Sequence, residues 1–173
     1  MLGEAIKEVR EEKGITQQDL GQMSFLSYKT ISAMETGRRR ITKENAKNIC
    51  EKLGDPKVYM EAVNEICGGV FSVPWLNGNA VDLHRSSVKE KVIEELDEAI
   101  NAINLIKTYK NPNSCTSTDK EVVAKSIQET IDVYVASAIY IAVMCREYSI
   151  DIKKMFQIQK DKLIKRGYLK ANK

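Results

Sequence analysis

Little in this sequence interrupts a helix: three prolines and nine glycines in 173 residues leave room for long helical runs with few turns. No stretch alternates apolar and polar residues for long enough to need a sheet, and no internal repeat is visible. The four cysteines, Cys50, Cys67, Cys115 and Cys145, form no C-x-x-C, so neither a zinc ligand set nor a redox motif is suggested. Cys50, Cys67 and Cys145 fall at helical apolar positions, where buried free thiols are common. The one histidine, His84 in "VDLHRSS", has no second ligand near it and is expected to bond and pack where a helix begins. The longest uncharged apolar run, Val133–Cys145, is shorter than the ~20 residues a membrane-spanning helix needs. "MLGEAIKEVREEKG" is charged from its fourth residue, unlike a signal peptide. Together these absences point to an all-α protein of a reducing cytoplasm, with no membrane partner and no cofactor.

What is present describes a globular chain, with 43% hydrophobic and 29% charged residues. The net charge of +3 is mild, so its distribution matters more. Residues 1–68 balance 11 basic side chains against 11 acidic ones, yet within them residues 28–47 hold six basic and two acidic. The segment 153–173 carries eight basic residues and a single acid, Asp161, a pattern read as a solvated helix.

Five short helices fit the N-terminal part. Leu2, Ala5, Ile6 and Val9 share a face, and Gly14 ends that helix. Thr16 is placed to cap Gln17–Met23, Ser27 to cap a third helix ending before Gly37, and Thr42 to cap a fourth with Ala46, Ile49, Cys50 and Leu53 inward. Pro56 suits the first turn of a fifth. The glycines, proline and N-G turn of "GGVFSVPWLNGNAVDLHRSS" mark a boundary, with Trp75 expected to pin this linker onto one of its neighbours. The expected organisation is a domain over 1–66, a linker over 67–86 and a helical domain over 87–173. The latter is built from helices near Ser87–Tyr109, Thr118–Tyr148 and Asp151–Arg166.

The stretch "TQQDLGQMSFLSYKTISAMETGRRR" packs two helical patterns with almost no chain between them, so the crossing must be tight. Gly21 sits where a larger side chain would hold the helices apart, and Leu20, Leu26, Ile31 and Met34 can form their shared apolar centre. Ser27 opens the third helix, with its N–H groups and positive dipole end. Tyr28, Lys29, Ser32 and Thr36 fall on that helix's outer side, and Arg38, Arg39 and Arg40 follow as a cationic loop. A helix with polar donors outward and arginines at its edge fits a major groove flanked by phosphates.

The pattern T-Q-x-x-L-[small]-x-x-x-x-[apolar]-S-x-x-T-I-S-x-x-E-x-G runs without a gap from Thr16 to Gly37, and residues 5–53 resemble the helix-turn-helix of the Xre/Cro phage-repressor family. The resemblance implies a transcriptional regulator of a bacterium or phage that binds double-stranded DNA, with repression the expected outcome. It places Gln17 on a phosphate at a helix N-terminus and Ser27 at the start of the reading helix. Tyr28, Lys29, Ser32 and Ala33 fall toward the bases, Ala33 being able only to touch a thymine methyl. Thr36 and Arg38, Arg39 and Arg40 fall toward the backbone. Arg10 and Glu35 match an internal ion pair that locks the first helix onto the third. One small reading head makes few base contacts, so two heads about 34 Å apart are expected on one duplex. A homodimer follows, with the C-terminal helices as its means or as a sensor of a small-molecule or protein effector.

In the first long helix Val88, Val92, Leu96, Ala99, Ile100, Ile103 and Ile106 form a stripe, with Glu94, Glu95 and Glu98 beside or across from it. "VYVASAIYIAVMC" is apolar nearly all round and needs cover on every side, in a bundle or a dimer. Asp132 points with Ile139 and Val143, an awkward place for a carboxylate. "EELDE" at Glu94–Glu98 and "ETID" at Glu129–Asp132 are similar, over residues 88–168, to all-helical MazG-type nucleotide pyrophosphohydrolases. That resemblance implies magnesium on Glu94, Glu95, Glu98, Glu129 and Asp132, and phosphates near Lys162 and Arg166. It stands as the alternative, enzymatic reading of this half.

Overall fold

The protein is described from a computed structural model covering residues 1–68, 71–107, 109 and 111–170. Gly69 of the expected linker and Lys173 of the basic tail lie outside the described residues. Eight α-helices and no strand occur among the described residues: α1 (Leu2–Glu12), α2 (Gln17–Ser24), α3 (Tyr28–Glu35), α4 (Lys43–Leu53), α5 (Pro56–Cys67), α6 (Arg85–Asn104), α7 (Ser117–Glu147) and α8 (Ile152–Lys165). The expected all-α class is the observed one.

Two compact units divide the chain, Met1–Trp75 with Cys145–Lys173, and Leu76–Met144. The sequence grouping placed α8 with the two long helices before it, whereas the fold counts it with α1–α5. Long-range pairs account for this: Arg146, in the last turn of α7, binds Asp55 at 3.1 Å, and Lys153 of α8 reaches Glu51 at 3.4 Å.

Local chemistry sets the starts of the N-terminal helices. The Thr16 and Asp19 side chains exchange bonds with each other's backbone N–H groups at 3.0 and 3.1 Å, a complete capping box on α2. Thr42 caps α4, and Asp55 caps α5 with Pro56 in its first turn. Leu2, Ile6, Val9, Leu20, Ile31, Met34, Ile49, Leu53 and Val58 are all under 3% exposed and form one core, with Leu26 packed at its edge. Gly21 has the role its position suggests: an added Cβ would lie 2.6 Å from the Leu26 carbonyl oxygen. Gly3, which the sequence did not mark, is tighter still, 2.3 Å from the Met34 carbonyl oxygen, so α1 rides directly on the backbone of α3.

Three expectations are corrected. Cys67 is exposed rather than buried, because it sits in the last turn of α5; Cys50 and Cys145 are buried as expected. The first long helix ends at Asn104 rather than near Tyr109, closing with short bonds from Leu105 and Ile106 N–H to Ala102 and Ile103 oxygens. The α6 stripe divides. Val88, Ala99 and Ala102 are buried together with Glu95, expected outside the stripe, while Leu96, Ile100 and Ile103 remain 44–54% exposed.

The unit Leu76–Met144 is a hairpin of α6 and the first 28 residues of α7. α7 presents Asp132, Val135, Ala136 and Ile139 to the cleft it shares with Val88, Lys91 and Glu95 of α6. On its other side Ile127, Ile131 and Ile141 are 38–55% exposed, so among the described residues of this unit the apolar segment is not covered on every side. At 31 residues, with an 18-residue window of mean hydropathy 1.3, α7 is long and apolar enough to cross a membrane by length and composition, beyond what the 13-residue uncharged run indicated.

Candidate nucleic-acid interface

The outward side of α3 is assembled from its cap upward. The Ser27 hydroxyl oxygen accepts from the Thr30 N–H at 3.1 Å and lies 2.9 Å from the Thr30 hydroxyl, so this side chain is engaged as a cap. Tyr28 is 55% exposed, Lys29 is exposed, and Ser32 and Ala33 are half-buried beside them. Ile31 and Met34 point the opposite way into the core. This division follows from spacing, since residues three and four apart share a helix face.

The arginine loop is tied back onto α3. Thr36 donates its hydroxyl to the Ser32 carbonyl at 2.7 Å and receives a bond from Arg38 Nε at 2.9 Å. Arg39 donates its backbone N–H to Ala33 O at 2.9 Å and its Nη1 to the Thr30 hydroxyl at 3.4 Å. Arg38, Arg39 and Arg40 are all exposed. Thr30 thus links the cap of the helix to the loop that follows it, a connection the sequence did not disclose.

Behind this face lies the ion pair expected between Arg10 and Glu35. Arg10 Nε and Nη2 donate to the two oxygens of Glu35 at 2.7 and 3.1 Å, a two-point fork, while Nη1 donates to Ile15 O at 2.8 Å. The bond to Glu35 raises the Arg10 guanidinium above its ordinary value against the opposing effect of burial. Gln17 joins the same group: its Nε2 donates to Glu35 at 2.7 Å, so the side chain assigned to a phosphate also completes the buried carboxylate's shell. The fork holds α1 to α3, and Gln17 adds the first turn of α2.

In the unit Leu76–Met144 the carboxylates divide differently from the motif. Glu95, Glu129 and Asp132 place oxygens within 4.8 Å of one another, one from α6 and two from α7. Glu94 and Glu98 are exposed and outside this group. Asp132 is half-buried and accepts from Gln128 at 3.4 Å, which eases its place among apolar neighbours. Lys91 ion-pairs with Glu95 at 2.7 Å and Glu94 at 3.0 Å, and these bonds push its ammonium well above the ordinary lysine range. Lys162 and Arg166, assigned to phosphates by the same resemblance, belong to the other unit. His84 caps α6, its Nδ1 accepting from the Ser86 N–H at 3.3 Å, as expected for a residue at a helix start.

Comparison with curated proteins and with solved structures finds no match to the chain. Residues 6–56, less than a third of the chain, match the model of the helix-turn-helix family. That range begins within α1 and ends at the first residue of α5, taking in the whole α2–α3 pair and the arginine loop. The segment is therefore a helix-turn-helix domain of the Xre/Cro type, the domain of DNA-binding transcription regulators.

Proposed function

We propose that this protein binds duplex DNA sequence-specifically through α3 and acts as a dimeric transcriptional repressor. The observation that carries the reading is the outer face of α3: Tyr28, Lys29 and Ser32 are presented outward, and Arg38–Arg40 stand at its edge. Lys29 and Ser32 offer donors to base edges, and Tyr28 adds a hydroxyl and a ring face. Ser27, Gln17, Thr36 and the arginines position the helix on the backbone. Placed across a promoter, two such heads exclude the polymerase. Its place of action is the cytoplasm or nucleoid, where the DNA is.

Selection of bound fragments from genomic DNA supplies the operator and its half-site spacing together. On that operator, Lys29→Ala combined with Ser32→Ala abolishes preference over random duplex while fold and assembly persist. Undiminished preference in a gel-shift titration defeats the proposed face. Removing one arginine that contacts phosphate lowers the salt slope of binding by about one for all sequences alike.

A second reading attaches to the unit Leu76–Met144 and is favoured by the convergence of Glu95, Glu129 and Asp132. Three carboxylates from two helices suit magnesium, and through it a nucleoside triphosphate. Lys91 already serves Glu95 as a counter-ion, so a metal must compete with an internal ammonium there. Magnesium-dependent pyrophosphate release by the intact chain, lost in Glu129→Gln, supports this reading; absence of release from the wild type rejects it.

A further inference from the structure

The unit Leu76–Met144 holds a cavity of about 380 Å³ between α6, α7 and the segment 76–83. That volume lies within the roughly 300–1,000 Å³ of small-molecule sites. Val81, Leu83, Val88, Val135 and Ile139 give it apolar walls. The third side is fastened in place: Asp82 accepts from the His84 N–H at 2.9 Å and from the Ser87 hydroxyl, which ties the segment to the first turn of α6. One turn of α6 and one of α7 beyond the apolar part, the lining becomes acidic. Glu95 is 9% exposed, Asp132 is half-buried, and their oxygens lie within 4.8 Å of each other. Lys91 is the one basic residue of the lining, against Asp82, Glu95 and Asp132. We propose that this cavity binds a small organic monocation, an ammonium or amidinium carried on an apolar body, with its charge on Glu95 and Asp132 and its body between Val88 and Ile139.

The lining selects this chemistry from its rivals. An anionic ligand meets more carboxylates than ammonium groups and is repelled. A magnesium ion gives up its waters reluctantly and leaves the apolar walls without a partner. A neutral apolar molecule fills the walls but strips water from the carboxylates without replacing it. An amphipathic cation satisfies both halves of the cavity. Lys91 already shows what the Glu95 carboxylate accepts, since its ammonium stands there at 2.7 Å. The same ammonium is divided between Glu95 and Glu94, and the lysine side chain is 56% exposed, so a ligand can displace it into water at little cost. The cavity lies wholly in the unit Leu76–Met144, so the inference does not depend on the DNA reading.

The test is calorimetric titration of the full chain, without DNA, using phenylbutylamine and heptylamine as probes and phenylbutanol and magnesium chloride as controls. At least one amine binds at millimolar concentration or below, and phenylbutanol binds about tenfold more weakly or not at all. Asp132→Asn weakens the amine about tenfold, and Ala136→Phe, which fills the space between the helices, abolishes its binding with helicity retained by circular dichroism. Lys91→Gln has the opposite effect: it removes the competing ammonium and tightens the amine several-fold, a gain that misfolding cannot produce. The inference is overturned if neither amine binds, if phenylbutanol binds as well as phenylbutylamine, or if Lys91→Gln leaves affinity unchanged or lowers it. Magnesium that binds alone and excludes the amines also overturns it, in favour of the metal reading. Gel-shift titration of the same preparation scores the DNA reading separately.

Discussion

Arg146 Nε lies 3.1 Å from Oδ2 of Asp55, a residue 91 positions earlier that caps α5. The other Asp55 oxygen accepts the Lys57 N–H at 2.8 Å, so the nearly buried carboxylate is satisfied from two sides. The same guanidinium also pairs with Glu12 and stands 5.4 Å from the centre of the Trp75 ring, with the Lys57 ammonium 5.7 Å from that centre. One side chain therefore joins α1, α5, the Trp75 segment and the end of α7.

Replacing Arg146 with Ala leaves Asp55 with an unpaired charge in a site that is mostly dry. Because the arginine is itself about a quarter exposed, the expected loss is about 2 kcal/mol rather than the larger cost of a fully buried break. Trp75, the only tryptophan, reports the event directly: its emission changes as the ring loses one of its two cationic neighbours while Lys57 remains. A melting temperature and a spectrum both equal to wild type refute this role.

Arg10 and Glu35 are deeper, with side chains 8% and 1% exposed. Arg10→Met alone strands the Glu35 carboxylate and costs about 3–5 kcal/mol in a urea titration. Arg10→Met with Glu35→Met recovers most of that, because two matched apolar side chains need no compensation. The double variant nevertheless binds operator DNA more weakly than wild type, since the fork that orients α3 against α1 is gone. Equal affinity in the double variant refutes the orienting role.

The N-terminal domain was legible because its determinants are short-range. Thr16, Ser27 and Thr42 sit next to the helices they cap, and Gly21 touches a residue five positions away. Leu20, Ile31 and Met34 fall inward by helical period alone. Gly3 against Met34 and Arg146 against Asp55 were not legible, because each depends on which helices meet, and that is decided by summed packing. Glu95 illustrates the same limit: its period placed it beside the apolar stripe, but α7 supplied the facing side chains that bury it. Gln17 was assigned an outward role from a motif, whereas its immediate bond is to Glu35.

Thiol chemistry should separate the four cysteines. Burial pushes the Cys50 thiol up to about 11 and raises Cys145 as well, whereas Cys67 is exposed. At pH 8 a maleimide labels Cys67 first, Cys115 more slowly, and the buried Cys145 and Cys50 only after denaturant is added. The same shift makes stability pH-dependent. Cys50 ionises near 9 in the unfolded chain and near 11 in the folded one, so between these values the folded state holds more protons. Stability from this group is complete below pH 9 and declines as pH rises toward 11. Cys50→Ala flattens that decline, and an unchanged slope in the variant rules the assignment out.

Gly3 and Gly21 offer a paired test of how tightly the reading helix is held. A methyl at Gly3 meets the Met34 carbonyl at 2.3 Å and the Glu35 Cα at 3.4 Å, both backbone atoms of α3. A methyl at Gly21 meets the Leu26 carbonyl at 2.6 Å, in the turn before α3. Neither clash can be relieved by turning a side chain, so each Gly→Ala change must move a helix, at about 1–3 kcal/mol. The consequences differ because the displaced partners differ. Gly21→Ala pries α2 from the start of α3 and should weaken DNA binding beyond its effect on stability. Gly3→Ala presses on the far end of α3, beside Glu35, and should disturb the Arg10 fork. Combining Gly3→Ala with Arg10→Met should therefore cost less than the sum of the two single changes, because contacts sharing one site are not additive. Strict additivity in urea titrations shows that Gly3 and the fork act independently.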